Sequence, residues 1–290
     1  MNKSDIESST YYTWPKEEHD RILEQLKANL FIAQAKSDKP RAIFVVGQPG
    51  CGKTTYINAA KDLSGYVNIN SDEYRQYCKG SDEILNSSYS TYYTKLTNPD
   101  AHLWGDELFD YGIANGYPVL REKAPINSAL LDTIKNLVGR CNIEVRLVAT
   151  GNLRSLLATR ERYEAEWISG NHRAKLSSIE AHNKCYDYLP EFISGCIALG
   201  VNVSYVVPTM NGYRIQNAGP NALTSLTEIR KASNLEACKT YAEKMLKLRK
   251  AMTERGAVQE QFEELSKIEC AYSEIIAEEK SLAEEEWPNR

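Results

Sequence analysis

The chain has 290 residues, enough for one large domain or two smaller ones. Hydrophobic residues make up 42% of it and charged residues 26%, which permits a packed core and excludes wholesale disorder. Because 35 Lys and Arg stand against 39 Asp and Glu, the net charge is −4, and the composition gives no sign of a nucleic-acid partner.

The sequence gives no indication of a membrane or secreted protein. The first 20 residues contain no apolar core like that of a signal peptide, and no apolar run approaches the length of a membrane span. The 7 Cys are scattered and form no C-x-x-C pair, which fits a reducing compartment. We therefore expect a cytoplasmic protein with no membrane partner.

The chain opens with a predicted helix from Pro15 to Ile32, which has acidic residues in its first turn. Five short apolar runs bounded by turn residues are then predicted to be buried strands, at residues 41–46, 66–70, 117–122, 143–150 and 202–207. Helical stretches lie between them near residues 54–63, 102–115, 128–138, 152–168 and 185–198. This alternation predicts an α/β fold with a parallel sheet and helices on both faces.

Two segments depart from the alternation. Residues 79–100 are polar and aromatic with weak periodicity, and we interpret them as an insertion or a substrate-side loop. After about residue 235, apolar residues recur at +3 and +4 spacing on both sides of Arg255-Gly256, which predicts a helical hairpin. We therefore predict a first domain over 1–234 and a helical extension over 235–290. The extension would fold back on the first domain as structural cover or as an inhibitory element.

The strongest motif directly follows the first predicted strand and matches G-x-x-x-x-G-K-[ST]. Its glycines let backbone N–H groups converge on phosphate oxygens at a helix N-terminus. The Lys53 side chain, which we expect to be exposed without nucleotide, can reach the β- and γ-phosphates, and the Thr54 hydroxyl can bind Mg²⁺. A nucleoside triphosphate site is predicted at Gly47, Gln48, Pro49, Gly50, Cys51, Gly52, Lys53, Thr54 and Thr55.

An acidic residue, Asp72, follows the second predicted strand. Ligands of open α/β sheets bind outside the carboxyl ends of the strands, so Asp72 is placed to accept a proton from an attacking hydroxyl. The alternative is that Asp72 only caps the following helix. The chain lacks a correctly spaced N-K-x-D, and Glu122 is the only acid that closes an apolar strand. A phosphotransferase acting on a small hydroxylated molecule therefore fits better than a GTPase switch or a motor ATPase.

Several segments together resemble the zeta toxin family, the kinase toxins of bacterial toxin–antitoxin systems. The matching pieces are the loop GQPGCGKTT, the strand-plus-acid VNINSDEY, the Gly-Tyr that precedes the strand ending in Glu122, and E-R-Y-E at 161–164 with the later His182-Asn183 and Leu189-Pro190. The resemblance covers roughly residues 15–210 and implies a P-loop kinase-like fold. We expect His182 to be structural, because the 4 scattered His offer no pair of metal ligands.

The resemblance implies that the γ-phosphate of ATP or GTP, with Mg²⁺, passes to the 3′-hydroxyl of a UDP-activated amino sugar, typically UDP-N-acetylglucosamine. By position, Lys53 and Thr54 take the phosphate and Mg²⁺ roles, Asp72 is the base, and Arg162 clamps phosphate. A second clamping Arg is expected where this chain has Lys175, and the nearest Arg is Arg173.

On the acceptor side, the resemblance assigns one sugar-binding carboxylate to Asp106 or its neighbour Glu107, and another to Glu122. It also implies an antitoxin protein that covers the nucleotide site. The family continues after its Glu with G-T or T-T, whereas this chain continues with residues 123–126, Lys-Ala-Pro-Ile.

This departure keeps two alternatives open. One is a P-loop kinase of the same fold that acts on another nucleotide or metabolite. The other is a catalytically decayed nucleotide-binding interaction protein, against which the intact Lys53, Thr54 and Asp72 argue.

Overall fold

The computed structural model describes residues 12–87, 92–170 and 176–286. In chain order its elements are α1 Lys16–Phe31, β1 Arg41–Val46, α2 Lys53–Ala59, β2 Val67–Ile69, α3 Ser71–Tyr74, α4 Ser81–Leu85, α5 Tyr93–Ala114, β3 Val119–Lys123, α6 Ala129–Leu137, β4 Asn142–Val148, α7 Asn152–Ile168, α8 Ile179–Ala198, β5 Asn202–Thr209, β6 Gly212–Asn217, α9 Ala222–Glu254 and α10 Gln259–Glu286. Within these described ranges, no helix has both the length and the hydropathy of a membrane span.

The strands form one sheet in the order β2-β3-β1-β4-β5-β6. Strands β2 and β3 run parallel, with Ile69 opposite Arg121, and β5 and β6 form an antiparallel pair. Strand β1 is buried at every position after Arg41, as expected for a strand covered on both faces. The predicted α/β fold, a mostly parallel sheet flanked by helices with a C-terminal helical hairpin, is confirmed.

Strand β6 was missed by the sequence analysis. Only Tyr213 and Ile215 in it are apolar, and most of its residues are exposed, because β6 lies at the edge of the sheet. The signal that was available is Asn211-Gly212, since Asn-Gly is a strong hairpin-turn dipeptide. Thr209 pairs with Gly212, so the turn itself consists of Met210 and Asn211.

The interpretation of residues 79–100 as a loop is wrong where the structure describes them. Residues 81–85 form α4, and α5 already begins at Tyr93. The side chains of Tyr12, Ile84, Tyr93 and Leu96 form a buried cluster, so the burial of aromatic rings fixes helices that the weak periodicity did not reveal. Residues 88–91 lie outside the described part of the chain.

The described chain divides into two compact units. The first consists of the residues up to Val45 together with Ile57–Lys123 and Thr133–Val145, and the second of Val46–Tyr56, Ala124–Asp132 and the residues from Arg146 on. The contiguous division into 1–234 and 235–290 stays a prediction, and α9 is one continuous helix through residues 234 and 235.

Within the second unit, the C-terminal hairpin of α9 and α10 packs on α7. Its core consists of Leu153, Leu156 and Leu157 from α7, Ala237, Tyr241, Met245, Leu248 and Met252 from α9, and Leu265 and Ile268 from α10. Burial of this many apolar side chains is a substantial stabilising contribution. The hairpin therefore covers α7. This agrees with the first of the two predicted roles of the extension, structural cover, and leaves its inhibitory role a prediction.

Candidate active site

The glycine-rich loop between β1 and α2 belongs to the second unit and rests on the first turns of α7. Gly50 has φ +77°, and a Cβ added to it would lie 2.1 Å from the carbonyl oxygen of Ser155 and 2.7 Å from Cγ2 of Thr159. Both the backbone angle and this close approach require glycine. The loop conformation is thus set by contact with α7 as well as by its own sequence.

Lys53 lies folded into this loop. Its side chain is buried, and Nζ donates hydrogen bonds to the carbonyl oxygens of Gly47 at 2.8 Å and Gln48 at 3.1 Å. The expectation that Lys53 is exposed without nucleotide is therefore wrong, because two loop carbonyls replace water around the ammonium group. Thr54 and Thr55 follow it on α2 and are exposed.

Gln48 anchors the loop to the end of β4 and the start of α7. Its side chain is fully buried, and Nε2 donates to the carbonyl oxygen of Thr150 at 2.9 Å and to Oγ of Ser155 at 3.1 Å. Oγ of Ser155 also lies 2.8 Å from Nε2 of His182. Burial lowers the pKa of His182, so its ring is neutral near pH 7 and belongs to an uncharged hydrogen-bond network under the loop.

Asp72 lies in the first unit, in the short helix α3 that follows β2. The helix is capped by Asn70, whose Oδ1 accepts from the Asp72 N–H at 3.1 Å, so Asp72 is not the N-cap residue. The Asp72 carboxylate is 59% exposed, and its Oδ1 accepts a hydrogen bond from Nε of Arg75 at 2.8 Å. Arg75 is buried and donates to Oγ1 of Thr97 at 2.9 Å, which fixes the guanidinium and through it the carboxylate.

The neighbours Asp106 and Glu107 on α5 have different partners. Oδ1 of Asp106, whose side chain is 61% exposed, lies 2.8 Å from NH2 of the buried Arg121. Glu107 lies 2.8 Å from Nε2 of His19 on α1. The His19 ring stacks on Trp104 with ring centroids 5.0 Å apart, so Glu107 is tied into the packing of α1 on α5. Of the two neighbours, Asp106 is thus the one that contacts a residue of β3.

Strand β3 ends in three polar residues, Arg121, Glu122 and Lys123. Arg121 is buried, its NH2 forms the ion pair with Asp106, and its Nε makes no hydrogen bond among the described residues. Burial, followed by the nearby Arg121, lowers the pKa of Lys123 to about 8, and Asp106 opposes part of this shift. Burial also lowers the pKa of His102, with Lys123 as the next contributor.

We call Asp72, Arg75, His102, Asp106, Arg121 and Lys123 the β2–β3 polar cluster. Four of its members, namely Arg75, Arg121, Lys123 and His102, were not predicted as site residues from the sequence. An arginine within the apolar strand VLRE was the one available signal, since a charge at a buried strand position requires a partner.

Arg162 lies on α7 in the second unit, with its side chain about half exposed and its Nε 3.7 Å from Oε1 of Glu166. The residues around it bond to the C-terminal hairpin. NH2 of the buried Arg160 lies 2.8 Å from Oε2 of Glu264, and Oε2 of Glu161 lies 2.6 Å from Nζ of Lys244.

The strongest of these bonds joins Glu164 to Arg255. The guanidinium donates through Nε at 2.6 Å and through NH2 at 2.8 Å, and both side chains are largely buried. The predicted clamp residues Arg173 and Lys175 lie outside the described residues.

A buried strand, a glycine-rich loop ending in Lys-Thr and a helix, set in a mostly parallel sheet, define a P-loop nucleotide-binding protein of the kinase type. The family model for zeta toxins matches residues 24–207, well over half of the chain. The chain therefore belongs to the zeta toxin family, the P-loop kinase-type toxins of toxin–antitoxin systems.

Two solved structures share this fold. A chain of the PezAT chromosomal toxin–antitoxin system of the human pathogen Streptococcus pneumoniae is similar with a TM-score of 0.68 at 20% identity, over 84% of this chain and 98% of that one. The AvrRxo1-ORF1:AvrRxo1-ORF2 complex with sulphate ions is similar with a TM-score of 0.54 at 12% identity, over 82% of this chain and 84% of that one. The search of curated protein sequences found no match.

Proposed function

We propose that this protein is a toxin that transfers the γ-phosphate of ATP or GTP to a hydroxyl of a nucleotide sugar, with the 3′-hydroxyl of UDP-N-acetylglucosamine as the favoured acceptor. The observation that supports it most is the phosphate loop seated on α7 with Lys53 inside it, in a chain that belongs to the zeta toxin family. The reaction would take place in the cytoplasm, where both nucleotides are available.

The loop fits the donor nucleotide. The carbonyls of Gly47 and Gln48 hold the Lys53 ammonium in place, and open space adjoins Gly52, where an added Cβ would meet no atom within 4 Å. Lys53 would exchange these carbonyls for β- and γ-phosphate oxygens. Mg²⁺, which Thr54 would hold, supplies further neutralisation of the phosphate charge.

The transfer itself needs placement of the hydroxyl and an acceptor for its proton. The acceptor oxygen attacks the γ-phosphorus, the bond to the β–γ bridging oxygen breaks, and the hydroxyl proton passes to Asp72 late in the transfer. Arg162, with Arg173 or Lys175, neutralises charge on the transferring group. Asp72 suits its role because Arg75 fixes its carboxylate while most of it stays exposed.

Substrate contact is assigned to Asp106 and Glu122. Each carboxylate can accept two hydrogen bonds from vicinal hydroxyls or an amide. The bond of Glu107 to His19 favours Asp106 over Glu107 for this role.

The acceptor has a second candidate class, another phosphorylated metabolite. This chain has Lys123-Ala124 in place of the family's G-T or T-T, and the half-buried Lys123 cation beside Arg121 favours an acceptor with an anionic group. The intact Lys53, Thr54 and Asp72 argue against the alternative of a catalytically decayed interaction protein.

An antitoxin protein that covers the nucleotide site is the proposed partner. The two similar structures support it, since one is from a toxin–antitoxin system and the other is a two-protein complex. Neither a nucleic acid nor a membrane is part of the proposal.

The deciding experiment is mass spectrometry of a nucleotide-sugar mixture incubated with the protein and Mg-ATP or Mg-GTP. A nucleotide sugar that becomes heavier by one phosphoryl group, about 80 Da, identifies the acceptor. The Lys53→Ala variant serves as the control and should give no product. If only nucleotide hydrolysis occurs in every mixture, the proposed transfer to a sugar is wrong.

A further inference from the structure

The first turn of α7, from its N-cap Gly151 to Ser155, carries the phosphate loop, and we call it the loop seat. A Cβ added to Gly50 would lie 2.1 Å from the carbonyl oxygen of Ser155. Nε2 of Gln48 donates to Oγ of Ser155 at 3.1 Å and to the carbonyl oxygen of Thr150, directly before the seat, at 2.9 Å. The position of the loop seat therefore sets the position of the loop backbone.

The loop seat is also held by Asn234, from the first half of α9. The N-cap residue of α7 is Gly151, which has no side chain that could accept a hydrogen bond from the free N–H groups of the first turn. Oδ1 of Asn234 takes this role and accepts from the N–H of Leu153 at 3.0 Å. A residue 81 positions away thus supplies the cap that a Ser, Thr, Asp or Asn at the N-cap position usually supplies.

Gly151 allows this close approach of α9. A Cβ added to Gly151 would lie 2.1 Å from Oδ1 of Asn234 and 2.7 Å from the carbonyl oxygen of Arg230, so any other residue would push α9 away from the seat. Its φ of −68° is open to every residue, so the requirement for glycine comes from the close approach alone. The glycine at the N-cap and the asparagine on α9 therefore form one matched contact.

One turn earlier on α9, Arg230 holds the second helix that supports the loop. Its NH2 donates to the carbonyl oxygen of Tyr186 at 2.8 Å, and its Cζ lies 3.7 Å from the centroid of the Tyr186 ring. Tyr186 lies on α8 one turn after His182, whose Nε2 contacts Oγ of Ser155 at 2.8 Å. Helix α9 therefore contacts both of the helices that meet at the loop seat.

We infer that Asn234 is a positioning residue of the donor-phosphate site, which acts through the loop seat and not by contact with the nucleotide. The inference rests on the proposed function, because it assumes that the loop binds the phosphates of the donor. Asn234 fixes the turn that Gly50 and Gln48 contact, so the loop keeps the arrangement that phosphate binding requires. This support comes from beyond residue 207, where the match to the family model ends.

The test measures phosphate binding in addition to stability. Calorimetry of the full chain, well below its melting temperature, would give the Mg²⁺-dependent affinity for ATP and for inorganic tripolyphosphate in the wild type, Asn234→Ala and Asn234→Asp. We expect Asn234→Ala to bind both ligands about fivefold more weakly, the factor to which the loss of one helix cap corresponds. Asn234→Asp keeps an oxygen acceptor for the N–H of Leu153 and should bind both ligands like the wild type.

Asn127→Ala is the matched control, since Oδ1 of Asn127 accepts from the N–H of Ala129 at 3.1 Å at the start of a different helix, α6. It should leave both affinities unchanged. The inference is overturned by unchanged affinities in Asn234→Ala, by an equal loss in Asn127→Ala, or by an Asn234→Asp protein that binds as weakly as Asn234→Ala. A loss for ATP alone would also contradict it, because an effect through the loop must reach tripolyphosphate equally. Failure of the proposed function looks different, because Lys53→Ala would then bind tripolyphosphate as well as the wild type does.

Discussion

Each unit of the molecule contains a largely buried lysine at its candidate site, and the two differ in what surrounds them. Lys53 in the second unit donates to two carbonyl oxygens of its own loop. Lys123 in the first unit is desolvated beside the guanidinium of Arg121, and its pKa falls to about 8.

The difference shows how each site is built. The phosphate loop satisfies its charge with its own backbone, so a short motif is enough to specify it. The β2–β3 polar cluster instead holds exposed carboxylates against buried guanidinium groups, as in the pair of Asp72 with Arg75, three residues apart, and the pair of Asp106 on α5 with Arg121 on β3. Such pairs can be exchanged one at a time, which would suit the proposed role of this cluster in contact with the acceptor.

The largest effect is expected from Lys53→Ala, which breaks the self-contained loop. Without the ammonium group, the β- and γ-phosphates lose their main protein cation, and we expect transfer to fall by about 10³-fold. The measurement is the rate of γ-phosphate transfer, with the exposed Lys61→Ala as the matched control. Retention of wild-type transfer and nucleotide affinity in Lys53→Ala would contradict the assignment of the loop.

The support of the loop extends through α7 to the hairpin, and Arg255→Ala tests this. It leaves the buried carboxylate of Glu164 without its bidentate partner, which is expected to lower the free energy of unfolding by about 3 kcal/mol or more. Urea unfolding measures it. Arg249→Ala is the control, because the exposed pair of Arg249 with Glu269 should contribute no more than about 1 kcal/mol. Equal losses in the two variants would show that the bond to Glu164 has no special role.

Asp72→Asn tests whether a carboxylate of the β2–β3 polar cluster accepts the proton during transfer. The amide keeps a hydrogen-bond acceptor for Nε of Arg75 but cannot take up a proton, so we expect transfer to fall by about 10²-fold. Melting temperature and nucleotide affinity should change little, since the side chain is mostly exposed and Asn70 caps the helix. Asp62→Asn, at another exposed carboxylate of the first unit, is the control. If Asp72→Asn transfers phosphate normally, the base is another carboxylate, with Glu73 and Asp106 as the next to test.

The same contrast explains what could be predicted from sequence. The phosphate loop and the strands that flank it follow from local signals, namely glycine spacing and short β-branched runs bounded by turns. The alternation of these strands with helices was enough to predict the sheet. Local signals were also available for β6, in Asn211-Gly212, but its polar residues concealed it.

Most of the cluster could not be predicted in this way, because only the pair of Asp72 with Arg75 is local in sequence, while Asp106 and Arg121 lie on different elements. Nothing in the order of residues indicates that Arg121 meets Asp106, or that Glu107 is held by His19 instead. The burial of Lys53 was missed for a related reason, since a motif specifies ligand chemistry but not where the side chain rests without the ligand. These details depend on tertiary packing, which periodicity does not encode.

The smallest effect is expected from Lys123→Met, which probes the charge held in the cluster. In the folded protein Lys123 loses its proton near pH 8, whereas in the unfolded chain it keeps it up to its ordinary value of 10.5. Between these values the unfolded state binds more protons, so the free energy of unfolding rises with pH. From pH 8 to pH 9 this one group should add about 1 kcal/mol in the wild type and nothing in Lys123→Met.

Urea unfolding of both proteins at the two pH values isolates the effect, because every other titrating group is common to them. The groups nearest to Lys123, namely Arg121, Asp106 and His102, remain in both. Lys135→Met, at an exposed lysine of the first unit, should keep the wild-type pH dependence. If Lys123→Met keeps it as well, Lys123 titrates as an ordinary exposed lysine. The two units would then not differ in how they hold their lysines, and the case for an anionic group on the acceptor would lose its main support.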